Sequence, residues 1–197
     1  MIHDDGTHIH LSYVYTYLPT TQVIIAGGGI GGLVLANALQ RHGIQYDLYE
    51  KTSEYRPFGG PIQVQSNALA ALEAINKEMC ERVMEAGTTT GNRVNGLKDG
   101  ISNKWYCQFD TGAPAQKRGL PLTRVVDRPE LQSILLDYVD RSRLHTGVEV
   151  ANYVKNGEGV EVTLTNGQKV KGDVLVSKYV HMYTLLSFSL FLLRSSR

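Results

Sequence analysis

Short, wholly apolar runs alternate along this chain with stretches in which apolar residues return every three or four positions. QVIIA (22–26) is a continuous apolar run after one polar residue, the pattern of a strand buried on both faces of a parallel sheet. Glycines interrupt it at once. LVLANALQRH (33–42) then supplies good helix formers, Gly43 supplies a stop, and YDLYE (46–50) reads as a second strand. Residues 22–50 thus have the order and length of a strand–helix–strand crossover.

Residues 51–65 hold Pro57, Gly59, Gly60 and Pro61 and predict a loop. SNALAALEAINKEMCERVMEAG (66–87) keeps Leu69, Leu72, Ile75, Met79 and Val83 at helical spacing and predicts one helix or a pair. RVNGLKDGISNKWYCQF (93–109) predicts two short strands around a turn at Asp99–Gly100. VVDRPELQSILLDYVD (125–140) predicts a helix. Asp127 would cap it, Pro129 lies in its first turn, Glu130 sits where a capping box wants an acid, and Leu131, Ile134, Leu135 and Tyr138 form its apolar face. From 148 to 171 the pattern alternates, with Val160, Val162 and Leu164 on one face and a hairpin turn at Asn166–Gly167. DVLV (173–176) reads as another buried parallel strand. The fold class predicted is α/β: a Rossmann-like domain with a parallel sheet and β-hairpin or meander insertions. Its expected limits are residues 21–177, after an irregular leader (1–20) and before a divergent apolar tail (178–197).

Composition narrows the function. A chain of 197 residues with 42% hydrophobic and 20% charged residues can bury a core. Its net charge of +1, with no local basic block, argues against a nucleic-acid partner. Cys80 and Cys107 give no disulfide framework and no zinc spacing. His3, His8 and His10 lack the cysteine or carboxylate cluster that would complete a metal site. The leader has no Lys or Arg, which fits neither a secretory signal nor a transit peptide. The uncharged tail from Met182 to Leu193 is shorter than the roughly 20 residues of a spanning helix. A short packed helix or a non-native extension is expected there.

The chemistry concentrates in the glycines. Gly27, Gly29 and Gly32 satisfy G-x-G-x-x-G, and Gly28 and Gly31 make five glycines in six positions around Ile30. The first glycine of such a motif permits the tight turn, the second lets a pyrophosphate approach the backbone, and the third lets helix and strand pack closely. The following helix offers free N–H groups and a positive dipole to phosphates. Glu50 ends the second strand about 20 residues on, where an acid binds ribose hydroxyls and repels the 2′-phosphate of NADP. These residues predict a dinucleotide and do not separate FAD from NAD.

Arg128 is a second candidate. A cation in the first turn of a helix opposes the dipole and is better placed beside an anion such as a cofactor phosphate. The alternative is pairing with Asp127 or Glu130, or simple solvation. Trp105, Tyr106 and Phe109 are candidates for a substrate pocket or for core. Neither Ser66 nor the scattered histidines form a nucleophile–base–acid set, so no side chain is assigned a catalytic role and any chemistry belongs to the cofactor.

VIIAGGGIGGLVLANAL followed by YEK resembles the FAD-binding start of flavoprotein monooxygenases of the aromatic-hydroxylase type. GGPIQVQSNALAALEAI, GNRVNGLKDGISNKWYCQFDT and RGLPLTRVVDRPELQSIL are more specific and resemble the zeaxanthin epoxidase branch of that family, from about Gln22 to Val176. The resemblance implies FAD on Gly27–Gly32, the adenosine ribose on Glu50 with Lys51 beside it, and Arg128 as a FAD contact. It implies NADPH as electron donor, directly or through a redox carrier. One atom of O₂ goes to a ring double bond of zeaxanthin and the other leaves as water, giving antheraxanthin and then violaxanthin. It also implies a chloroplast setting, a place in abscisic acid synthesis, and room for peripheral membrane contact with a carotenoid source.

The family strand matching GDVLV continues into Gly-Ala-Asp-Gly, and a later Gly-Asp motif contacts the flavin; this chain has neither. The expectation is a chain that departs from the family after about residue 176 and is inactive alone. Ser177–Lys178–Tyr179 are encodable as AGT-AAG-TAT, which contains a splice-donor-like GTAAGT, and a retained intron or gene-model error would account for the tail. A complete small flavin- or NAD-binding oxidoreductase and a non-catalytic FAD-binding fragment are the competing readings.

Overall fold

The structure is a computed structural model that describes residues 21–90, 94–110, 112–157, 159–178 and 190–194. Strand β1 (Gln22–Ala26) leads into α1 (Ile30–Arg41) and β2 (Gln45–Glu50). Next come β3 (Pro61–Val64), α2 (Ser66–Ile75), α3 (Lys77–Ala86), β4 (Thr88–Thr89) and the hairpin of β5 (Asn95–Lys98) and β6 (Trp105–Phe109). A short helix α4 (Ala113–Lys117), strand β7 (Arg124–Asp127) and helix α5 (Arg128–Asp137) follow. A 3₁₀ turn (Arg141–Arg143) opens into β8 (Leu144–Thr146), then β9 (Val150–Asn156), β10 (Gly159–Leu164) and β11 (Lys169–Gly172). The last strands are β12 (Val174–Lys178) and β13 (Leu190–Arg194).

The main sheet has the order β13-β12-β1-β2-β8. Strands β12, β1, β2 and β8 are parallel, and β13 runs antiparallel along β12. The apolar run of β1 is explained by its central place. Val23 and Ile25 join the helical core, with Leu33 and Ala36 of α1, Leu69 of α2, Met79 and Val83 of α3, and Ile134 and Leu135 of α5. Ile24 points to the other face and packs with Tyr49, Val160, Val162, Leu164 and Leu175. Both faces of the sheet are therefore covered, by helices on one side and the β9–β10–β11 meander on the other. Each fully buried Ile or Leu contributes about 1.5–3 kcal/mol. Buried Asn37 donates from Nδ2 to the carbonyls of Leu33 and Leu135 at 2.9 and 3.1 Å, which locks α1 to α5.

Where expectation and structure differ, the reasons are local. Helices α2 and α3 are two, because Asn76 adopts φ −155° and ψ 113° and its side chain accepts from the Met79 N–H at 3.0 Å. The 51–65 loop contains β3, which pairs antiparallel with β7. Residues 124–127 are that partner strand, unpredicted, and the helix begins at Arg128, directly after the expected cap position. Asp127 occupies the cap position but its side chain makes no capping bond, and the predicted capping box does not form. Leu190–Arg194 is a strand rather than part of a short packed helix. The leader with its three histidines, and residues 179–189, lie outside the described residues. Among the described residues no helix is long and apolar enough to cross a membrane.

Candidate cofactor site at the glycine loop

The site begins where β1 runs out at the carboxyl edge of the sheet. Gly27 takes φ +111°, a region open to glycine and little else, and its N–H donates to the Tyr49 carbonyl at 2.8 Å. The loop is thereby tied to the end of β2. Gly29 precedes α1 with φ −72° and ψ 179°, and a Cβ placed on it would meet nothing within 4 Å. At Gly32 a Cβ would lie 2.0 Å from the Gly27 carbonyl oxygen, so only glycine lets helix and strand close up. Gly27 thus makes the tight turn and Gly32 the close packing that their spacing predicts, while the space over Gly29 is open.

Helix α1 starts with no side-chain cap and no acid in its first turn. The N–H groups of Ile30, Gly31 and Gly32 have no acceptor among the described residues, and a Cβ on Gly31 would also find open space. Three free donors and the positive end of the helix dipole face an approachable surface, an arrangement suited to a phosphate.

Glu50 closes one side. Its Oε2 accepts from the Gly28 N–H at 2.6 Å and its Oε1 from the Thr52 N–H at 2.9 Å. These two bonds fix the carboxylate against the loop and leave further lone pairs for hydroxyl donors. Tyr55 lies over the same spot, its hydroxyl 2.0 Å from where a Cβ of Gly28 would be. Lys51 is exposed at the rim, with no ion partner among the described residues.

Helix α5 closes the other side. Gln132 donates from Nε2 to the Gly28 carbonyl at 3.4 Å. Arg128, four residues earlier on the same helical face, is held against the β2–β3 loop. Its Nη1 donates to the Phe58 carbonyl at 3.1 Å, and Gly59 at φ +113° makes room for its side chain. It pairs with neither Asp127 nor Glu130 among the described residues, and is half-buried beside the loop.

Gln132 and Tyr55 escaped the sequence reading. Gln132 was findable as the residue one helical turn beyond Arg128; Tyr55, inside an irregular loop, carried no periodic signal. Trp105, Tyr106 and Phe109 do not enter the core: they are 40%, 70% and 54% exposed on the β5–β6 hairpin. An unrelated cavity of about 240 Å³ lies between the starts of α2 and α4, lined by Ser66, Asn67, Ala115, Arg118 and Thr123. Ser66 Oγ is buried there with no hydrogen-bond partner among the described residues.

The family described as FAD binding domain matches residues 20–180. The chain belongs to that family. This FAD-binding domain is 49% identical over 162 residues to the chloroplastic zeaxanthin epoxidase of Solanum lycopersicum and 51% identical over 152 residues to that of Arabidopsis thaliana. Those alignments cover 79% and 75% of the chain, and the chain spans about a quarter of the length of the curated relatives it matches (24% and 23%). Klebsiella pneumoniae HpxO complexed with FAD and uric acid superposes with a TM-score of 0.62 at 30% identity, over 79% of this chain and 38% of that one. The tetrameric form of 2-methyl-3-hydroxypyridine-5-carboxylic acid oxygenase gives 0.61 at 27%, over 81% and 39%.

The residues of the FAD-binding domain fit that group. Open space over Gly29, three unpaired amides at α1, an anchored acid at Glu50 and a buried hydroxyl without a partner at Tyr55 surround one crevice.

Proposed function

We propose that this chain provides the ADP-binding side of the FAD site in a monooxygenase of the zeaxanthin epoxidase type. The observation that carries the reading is the glycine loop: an approachable Gly29 and free amides at Ile30–Gly32, set against an acid bonded to Gly28. The amides of residues 29–32 would take the pyrophosphate oxygens, Glu50 the adenosine ribose hydroxyls, and Arg128 a phosphate charge from the α5 side, with Lys51 adding a cation at the rim. When bound, FAD supplies the redox and oxygen chemistry that no side chain here provides. The chain's own part is to hold and orient that group.

The choice of reaction rests on the relatives. The zeaxanthin epoxidases that share about half of the aligned residues are named chloroplastic. On that basis the substrate is a carotenoid such as zeaxanthin, the co-substrates are O₂ and NADPH, the products are antheraxanthin and violaxanthin, and the setting is the chloroplast. Residues 1–197 alone are proposed to bind FAD and not to turn over, because the chain spans only about a quarter of the length of the curated relatives it matches.

The test is titration of FAD into the purified 197-residue chain, read by flavin fluorescence and visible absorbance, with NAD and FMN as competitors. Saturable binding that NAD does not displace is expected. Binding of NAD without FAD would overturn the reading and favour a small NAD-dependent oxidoreductase. Formation of violaxanthin from zeaxanthin, NADPH and O₂ by residues 1–197 would overturn the inactivity.

A further inference from the structure

The strongest unexplained feature of the crevice is a phenol. Tyr55 stands five residues beyond β2, and its ring packs against the main core, yet its hydroxyl is buried with no hydrogen-bond partner among the described residues. Leaving such a group unpaired is destabilising, and a phenylalanine would fill the same space without that cost.

The hydroxyl's position is specific. It rests on Gly28, at 2.0 Å from where a Cβ would be, and Glu50 Cβ lies 3.0 Å from that same point. Gly28 is one of the positions that G-x-G-x-x-G leaves unconstrained, and its φ is unremarkable for any residue. Its lack of a side chain is therefore explained by Tyr55 rather than by the backbone: the glycine is the notch that seats the phenol on the loop.

We propose that Tyr55 is a cofactor-binding residue whose hydroxyl donates to an oxygen of the ADP portion of FAD, between the glycine loop and Glu50. This rests on the FAD reading above and adds a residue to it. The chemistry is consistent with a donor. Burial, reinforced by the negative charge of Glu50 and only partly offset by Arg141, pushes the phenol up to about 12, so it stays protonated. Among the described residues Glu50 does not take that proton's hydrogen bond: its carboxylate accepts from the Gly28 and Thr52 amides. The loop amides donate and Glu50 accepts; Tyr55 adds a side-chain donor where pyrophosphate meets ribose.

Tyr55→Phe and Tyr55→Ala in the full 197-residue chain test this. Phe removes the unpartnered hydroxyl and keeps the ring, so its melting temperature should equal or exceed wild type. FAD affinity should nonetheless fall about three- to tenfold, as loss of one neutral hydrogen bond predicts. ADP affinity should fall by the same factor, because the contact lies on that half. Ala should lose both affinity and stability. Tyr55→Phe binding FAD and ADP as tightly as wild type would overturn the proposal while leaving the FAD reading intact. A drop in affinity matched by a drop in stability would also overturn it, as packing loss. Failure of wild type to bind FAD would remove both.

Discussion

A methyl group added at Gly32 would lie 2.0 Å from a backbone oxygen that cannot move aside, whereas one at Gly29 would meet nothing within 4 Å. Gly32→Ala should therefore destabilise the chain by about 1–3 kcal/mol, a fall of several degrees in melting temperature. Gly29→Ala, at an ordinary φ, should change stability by no more than about 0.5 kcal/mol yet weaken FAD binding by more than about tenfold, because the methyl fills the approach to the pyrophosphate. Thermal melts and FAD titrations on both variants check the pair; equal effects on stability would refute the division of roles. These two glycines were legible in the sequence because the motif's spacing encodes backbone geometry. Tyr55 was not, since its role depends on a side chain folding back across a loop onto Gly28. The cysteines make a third residue-scale prediction. Cys80 is fully buried, donates to the Leu69 carbonyl at 3.3 Å, and has its thiol pushed up by burial and by Glu73 and Glu81, while Cys107 is only half-buried. The thiolate is the reactive form, so a thiol reagent should label Cys107 in the native chain and Cys80 only after unfolding.

At the scale of elements, periodicity found α1, α2, α3 and α5 and missed the short helix α4 and the short strands β3, β4, β7 and β8. The run from Leu69 to Val83 keeps helical spacing straight through Asn76, so the pattern alone does not choose between one helix and two. Asn76 decides by leaving helical φ/ψ while its side chain accepts from the Met79 amide. Asn76→Ala should cost about 1 kcal/mol in urea unfolding, and Asn76→Asp should restore most of it, as an alternative cap. Equal losses for both would show that the break, not the cap, carries the stability. Strand β7, just ahead of the predicted cap at Asp127, went unpredicted because Val125 and Val126 suit either state; pairing with β3 and β4 makes it a strand. The consequence reaches the site. With the helix starting at Arg128, directly after Asp127 at the cap position, Arg128 and Gln132 share the face that meets the Phe58–Gly59 loop and Gly28.

Over the whole molecule, the crevice draws on three separated segments: the loop after β1, residues 50–55 after β2, and the start of α5. Each is tied to another by a bond already present: Gly27 to Tyr49, Gly28 to Glu50, Gln132 to Gly28. The parallel core that brings them together could be read from apolar runs, but the meeting itself could not, because it depends on strand order. The same bonds make a selective prediction for amide exchange. Gly27 and Gly28 already donate within the protein, whereas Ile30, Gly31 and Gly32 have no acceptor among the described residues. FAD at a hundred times its dissociation constant should stabilise the fold by about 2.7 kcal/mol overall. Beyond that global gain, exchange should slow most at residues 30–32 and little at 27 and 28. The β9–β11 meander, across the sheet from α1, should show only the global part. Hydrogen exchange with and without FAD measures all three regions at once. Protection spread evenly over the loop and meander would mean that FAD binds somewhere other than the end of α1.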